Sequence, residues 1–492
     1  MELQLLFLVF VLLLSDIQAS NPDSEEVQSS AEVRPTPGAY TSSDAELVAG
    51  IINDFSFKLL EKMNSNFNSA ISPISIFLAL AMTYLGSGGR TERQLENVLG
   101  LDRHDLHGIR LHEDLSKLMS TLPPESSEFK LKAANALVVD KNFKPKSKFV
   151  EDLSNFYSIM LDEIDFRNGN VVVDRVNRWV AEQTENAITR VLEKPPDPES
   201  GMILLNAIYF SGTWETQFPP NSTAIKPFTL SDGTLIKVPF MSMPKIRLKY
   251  FQELTFKHSF VRLPYKGNHI SMIIALPDEL GTPDFEMSHD RLCRIRSAMK
   301  HYEIDVLSIP KFRIEFSRQL NGPLATLGAP DMFDPNAANF SGMREEKGLF
   351  VSSINHKVLL EVDEKGSIAA AVTTVSLVRL SLARKLKFIA DRPFKFYIVD
   401  ERNGLILFMG KVTNPSGEST TNTPKKDTIK PSTESAVRPP TRNTANDLSP
   451  SDTATTVQPR RRPARISQIR RPYWIDIPNR TMRIFLHYTR LV

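Results

Sequence analysis

Asn68, Ser72, Ser75 and His356 are the residue types from which a serine hydrolase builds its nucleophile and base. In such a site a histidine takes the serine proton while a third group orients its ring. The rest of that machinery is missing from the sequence. No Gly-x-Ser-x-Gly elbow is present, and no acid has an evident orienting role. The nine histidines show neither an HExxH motif nor ligand spacing with the single cysteine, Cys293, so no metal or cofactor is expected. Cys293 lies in Arg291-Leu-Cys-Arg-Ile-Arg and reads as a semi-buried, inert thiol on a helix. Alone, it cannot form an intramolecular bridge.

A different segment carries more chemistry. Residues 361–384 read EVDEKGSIAAAVTTVSLVRLSLAR, with no charge and no proline from Gly366 to Val378. Side chains alternate in a strand, so Ser367, Ala369, Ala371, Thr373, Val375 and Leu377 would share one face. Every one of them is uncharged, and the first three are small. The pattern by itself favours a permanent core strand, but alanine is a poor strand former, and that reading leaves the run Ala369-Ala370-Ala371 unexplained. A strand that enters a preformed sheet after folding accounts for it. Arg379, Arg384, Lys385 and Lys387 follow at once and belong at a surface.

At 492 residues, with 41% hydrophobic and 24% charged side chains, the chain can bury a large core without disulfides. Leu5–Leu14 is an apolar run too short to span a bilayer, and small Ala19 suits a cleavage position, so residues 1–19 read as a secretory signal. Residues 20–43 are a polar lead expected to be disordered. The folded domain is expected over 44–415, followed by a Ser/Thr/Pro-rich linker over 416–458 and a basic tail over 459–492. Asn221, Asn339 and Asn479 each begin an N-glycosylation triplet. The net charge is only +3, yet the tail holds nine arginines against Asp476. Arg460, Arg461, Arg462, Arg465, Arg470 and Arg471, with Tyr473 and Trp474 among them, suit a glycosaminoglycan or another anionic surface. The main body gives no reason to expect nucleic acid. The stretch containing Arg103, His104, His107, Arg110, His112 and Lys117 is interrupted by acids and reads as a mixed solvated face.

Elements that must position these residues follow from local signals. A helix is expected from a cap at Ser43-Asp44, with Leu47, Val48, Ile51, Ile52, Phe55, Leu59 and Leu60 at helical spacing. A buried helix should start at Ser72-Pro73 and run to Leu85, and a third should span Val176–Val191. Strands are expected at Met202–Phe210, Leu254–Pro264, Ile270–Pro277, Ile304–Pro310 and Phe394–Val399. Helices mainly precede strands, which indicates an α+β class.

Taken together, these stretches resemble the serpins. Glu364-Lys365-Gly366-Ser367 with Ala369-Ala370-Ala371 resembles the mobile hinge of the inhibitory members. Asn68-Ser-Ala-Ile-Ser-Pro-Ile-Ser75 looks like the start of the family's central buried helix. Asn206-Ala-Ile-Tyr-Phe210 with Trp214 is similar to the strand beside which the loop first enters. His356-Lys357 with Glu361-Val362, then Phe388–Phe394, then Leu407–Val412, match the strands around the loop. The resemblance implies about nine helices around three β-sheets, with an exposed reactive loop at about residues 364–387. It implies a secreted monomer that is not an enzyme but traps a trypsin- or chymotrypsin-like serine protease as an acyl ester while the loop inserts. Counted from Gly366 at the family's usual spacing, the resemblance implies an acyl-donating bond at Leu380-Ser381, with Arg379-Leu380 as the alternative. It also implies that Asn68, Ser72, Ser75 and His356 latch the sheet. Non-inhibitory serpins that act as carriers, signals or storage proteins share the fold. Two positions depart from the pattern: Ile368 replaces the usual Glu, and Glu185-Asn186-Ala187-Ile188 lacks the usual Gly-Lys.

Overall fold

A computed structural model describes residues 41–63, 67–104, 106–123, 126, 128–157, 160–197, 201–366 and 386–417. All of them fall in the first of two units, 1–424 and 425–492, into which the chain divides. In chain order the helices are α1 (Ser42–Met63), α2 (Pro73–Leu85), α3 (Gly89–Leu99), α4 (Ile109–Ser120), α5 (Ser147–Phe156), α6 (Gly169–Gln183), α7 (His289–Ala298) and α8 (Asn321–Leu327). The strands are β1 (Ser69–Ile71), β2 (Phe129–Asp140), β3 (Met160–Ile164), β4 (Met202–Gly212), β5 (Ala224–Thr229), β6 (Leu235–Glu253) and β7 (His258–Pro264). They continue with β8 (Ile270–Pro277), β9 (Lys300–Pro310), β10 (Phe312–Gln319), β11 (Val351–Val362), β12 (Lys387–Ile389), β13 (Phe394–Asp400) and β14 (Ile406–Val412). The class is α+β, as expected.

One sheet has five strands in the order β10-β11-β4-β2-β3. The other runs β1-β14-β13-β8-β7-β6-β9-β12, with β5 added to β6. Hydrogen bonding therefore joins the described strands into two sheets rather than three. The reason is β6, a 19-residue strand whose first half pairs with β5 and whose second half pairs with β7. It turns at Lys245, a non-glycine residue with φ of 48°, so the second and third layers are continuous.

Local sequence explains most of the boundaries. The cap of α1 lies at Thr41, ahead of the expected Ser43-Asp44. Thr41 N–H donates to the Asp44 carboxylate at 2.8 Å, and Asp44 N–H donates back to the Thr41 hydroxyl at 3.3 Å, a reciprocal capping box. Pro73 opens α2 at its first position, where its missing N–H costs nothing. Helix α6 starts before the expected Val176 and stops well short of Val191. Glu185 and Asn186 take φ of 51° and 64°, a conformation glycine adopts more cheaply. Lys130 and Lys132 pair with the Glu185 carboxylate at this turn. Ile188 and Val191 stay buried beyond the helix end, which is why the apolar period ran on. Strand β7 begins at His258 rather than Leu254, because residues 254–257 form a turn with Leu254 exposed at its tip.

The main core fills the space between the two sheets and around α1 and α2. Phe210 of β4 meets Phe408 of β14 across it, 5.5 Å apart. A second core covers the other face of the five-stranded sheet. There Val172, Val176 and Val180 of α6 lie on Ala134, Ala136 and Val138 of β2, on Ile203, Leu205 and Ala207 of β4, and on Leu359 of β11.

Candidate functional site

The five-stranded sheet holds two parallel pairs, β2–β3 at its edge and the β4–β11 joint in its interior. Strands β4 and β11 are parallel neighbours, paired from Met202 opposite Val351 to Phe210 opposite Leu360 with one register shift between Val351 and Ser353. On the outer sides, β4 pairs antiparallel with β2, and β11 antiparallel with β10. Parallel pairing is somewhat weaker per residue. A strand entering between β4 and β11, running opposite to both, would replace one parallel ladder with two antiparallel ones. The chain that leaves β11 is already aimed that way. Asp363 and Gly366 form an antiparallel bridge, with Asp363 N–H donating to Gly366 O at 3.3 Å and Gly366 N–H returning to Asp363 O at 3.2 Å. Glu364 and Lys365 are thus a two-residue hairpin turn.

That turn is held tightly at the end of the joint. Trp214 N–H donates to Lys365 O at 2.8 Å, and its indole Nε1–H donates to Asp363 O at 3.0 Å. The indole stacks on Tyr265 at 4.4 Å. Phe218 N–H donates to Glu364 O at 2.8 Å. The Glu364 carboxylate accepts from the Thr223 hydroxyl at 2.7 Å and from Lys311 Nζ at 2.8 Å. Partial burial pushes the Glu364 pKa up, but Lys311, Thr223 and its own backbone N–H outweigh that and leave it below the usual carboxylate value. Gly366 sits at φ 113°, and a Cβ there would collide with Gly212 O and Trp214 N. Only glycine fits.

Midway along the joint lies a second cluster. The fully buried His356 of β11 accepts the Ser72 backbone N–H on Nε2 at 3.2 Å. Its Nδ1 must then carry the proton, which it donates to Asn206 Oδ1 of β4 at 2.5 Å. Asn206 Nδ2 donates onward to Asn135 Oδ1 of β2 at 2.6 Å and to the Ser75 hydroxyl, which itself donates to Asn135 Oδ1 at 3.2 Å. Burial lowers His356 to about 3, so the ring is neutral. The cluster therefore ties β11, β4 and β2 to the start of α2. It cannot activate a serine: His356 meets the Ser72 backbone, and the buried Ser72 Oγ has no hydrogen-bond partner.

Of the four residues grouped from sequence, three come together here and Asn68 does not. Asn68 Oδ1 accepts Thr413 N–H at 2.7 Å and Asn414 N–H at 2.9 Å, which holds the chain after β14. Strand β1 carries Ser69–Ile71 along β14, which separates Asn68 from Ser72. Sequence reasoning missed Asn135, Thr223 and Lys311. A lone amide in an apolar strand, as at Asn135 and Asn206, was the available signal.

The remaining candidates are dispersed. Trp214, Glu364, Lys365 and Gly366 are at the hairpin. Ser367, Ala369, Ala370, Ala371, Arg379, Leu380 and Ser381 lie outside the described residues, as do Asn479 and the six tail arginines. Asn221 and Asn339 are exposed. Cys293 sits half-buried on α7, where burial raises its thiol pKa. In the mixed stretch, His112 is buried against Tyr157, while Arg110 and Lys117 share Asp114.

Comparisons with known proteins agree with this geometry. A family model described as "Serpin (serine protease inhibitor)" matches residues 51–415. The intracellular coagulation inhibitor 1 of Tachypleus tridentatus is 34% identical over 373 residues, covering 74% of this chain and 88% of that protein. The crystal structure of a thermophilic serpin, tengpin, in its native state superposes with a TM-score of 0.68 at 30% identity, covering 80% of this chain and 97% of that one. Human thyroxine-binding globulin in complex with its ligand gives 0.70 at 27% identity, covering 76% and 99%. A parallel joint with a hairpin poised at its end, and a family model spanning the sheets that form it, lead to one assignment: the chain belongs to the serpin family.

Proposed function

We propose that this protein is a secreted inhibitor of serine endopeptidases that works by being cut. The observation that carries the reading is the parallel β4–β11 joint, with the Glu364–Lys365 hairpin turning the chain at its end. The target's serine hydroxyl attacks the carbonyl carbon of Leu380, or of Arg379, and the peptide C–N bond breaks as the new amino terminus leaves with a proton. The freed segment then enters the joint with Ser367, Ala369 and Ala371 facing inward, drawing the acylated protease along. About a dozen new backbone hydrogen bonds at about 1 kcal/mol each, plus burial of valines and leucine, make insertion strongly downhill. Insertion must outrun ester hydrolysis, so small inward side chains matter.

In this reading Glu364, Lys365 and Gly366 with Trp214 form the hinge and its anchor, and Ser72, Ser75 and His356 latch the sheet. The protein acts as a monomer and not as an enzyme. The serpin domain ends near residue 415, and the basic tail holds it on glycosaminoglycan or another anionic surface. The apolar run Leu5–Leu14 supports secretion, although the Tachypleus relative is named as intracellular. A carrier role is the second reading, favoured by the likeness to thyroxine-binding globulin.

Incubation with trypsin-like, chymotrypsin-like and elastase-like proteases, followed by denaturing electrophoresis, separates the two. An inhibitor gives a covalent band, and the mass of the released carboxyl-terminal fragment identifies the cut. Ser367→Arg must drive a charge into the sheet interior and should convert the inhibitor into a plain substrate. Complexes still formed by that variant would sink the insertion mechanism.

A further inference from the structure

The triplet Asn221-Ser222-Thr223 lies in the segment that grips the hinge. Residues 218–223 form a strap that holds Glu364 at both ends, by Phe218 N–H on its carbonyl and by the Thr223 hydroxyl on its carboxylate. Two prolines, Pro219 and Pro220, stiffen the strap. It closes in a tight turn, with Ser222 N–H on Pro219 O at 2.9 Å and Thr223 N–H on Pro220 O at 3.1 Å. Asn221 stands exposed on this turn.

We propose that Asn221 carries an N-linked glycan and that this glycan slows release of the hinge. The inference rests on the reading of the chain as a secreted inhibitor. The donor is an oligosaccharide on a lipid diphosphate. The Asn221 amide nitrogen attacks its anomeric carbon, a C–N bond forms, the C–O bond to the diphosphate breaks, and the lipid diphosphate departs with that electron pair while the amide proton passes to base. The triplet needs a hydroxyl at its third position, so Thr223 serves twice. In the unfolded chain it completes the acceptor, and in the folded protein it grips Glu364. A bulky hydrated group on a turn already limited by two prolines removes more of the strap's backbone freedom. A strap that fluctuates less lets go of Glu364 less often. Asn339 provides a built-in control. Its backbone N–H donates to Thr91, and its carbonyl accepts from Gly88 at the start of α3, so a glycan there has no route to the hinge through these contacts.

The test is expression of the full chain in secretory cells, with mass spectrometry of the Asn221 peptide. Insertion of the uncut segment into the β4–β11 joint on warming, the conversion expected once the hinge is released, is then followed by tryptophan fluorescence and gained heat resistance. Asn221→Gln should convert about fivefold faster, the effect of freeing roughly one backbone residue. Thr223→Ala, which loses both glycan and hydroxyl, should be faster still, by about tenfold or more. Thr223→Ser and Asn339→Gln should match the natural protein. An unmodified Asn221 on the secreted chain overturns the site, and equal rates for Asn221→Gln and the natural protein overturn the restraint. Conversion needs no protease. Glycan-dependent rates without protease trapping would therefore sink the inhibitor reading alone, whereas trapping with equal rates would sink this one. A chain kept inside the cell without glycan would remove both secretion and the site.

Discussion

The β4–β11 joint is secured differently at its middle and at its end. The middle is closed by neutral side chains that are buried and local to the sheet: His356, Asn206, Asn135 and Ser75. The end is closed by backbone bonds from Trp214 and Phe218 onto the Glu364–Lys365 turn. Opening the middle breaks a polar network away from water, where unpaired groups are expensive. Opening the end exchanges backbone bonds of a half-buried hairpin, whose groups water can partly satisfy. The end should therefore open first, and the middle should decide how far the opening travels.

The largest effect expected of this contrast is at the end. Trp214→Ala removes the stacking partner of Tyr265 and the indole bond to Asp363, and should destabilise the intact protein by about 3–5 kcal/mol. Comparing melting before and after a single cut in the loop checks it. The intact form should lose more than the cut form, and equal losses would place Trp214 in ordinary core packing.

At the middle, pH separates the two regions. His356 has its folded pKa lowered to about 3, so the unfolded chain takes up its proton first as pH falls. Stability from this residue is complete above about pH 6.5 and declines toward pH 3, by at most about 1.4 kcal/mol per pH unit. His112, lowered to about 4 mainly by burial, adds a slope of its own over pH 6.5 to 4. His356→Asn should flatten the fall in melting temperature between pH 7 and 5 while lowering stability at pH 7. An unchanged slope would mean that the histidine binds its proton equally in the folded and unfolded states.

The smallest effect belongs to the ion pair at the end. Lys311→Met should cost about 1 kcal/mol or less, because Lys311 is 36% exposed and Glu364 keeps Thr223. A loss several times larger, read by denaturant unfolding, would make charge rather than backbone bonding the main closure at that end.

Much of the site was legible from local pattern. The turn at Glu364-Lys365-Gly366 showed through its glycine, and α2 showed through Ser72-Pro73, because turns and caps depend on neighbours in sequence. The partners did not show. Asn135 lies 71 residues from Asn206, Lys311 lies 53 from Glu364, and Thr223 lies 141 from it. Asn68 was misgrouped for the opposite reason: its closeness to Ser72 along the chain concealed that β1 leads it to the end of β14.

The amino-acid order alone determined that one uncharged, small-faced segment follows a Glu-Lys-Gly turn, since size and polarity belong to each residue wherever it sits. That β4 and β11 lie side by side and parallel, with the Glu364–Lys365 turn at their end, was decided only by the assembled sheet. Which strands become neighbours depends on core packing and on register between distant stretches, and neither is written in any short window of the chain.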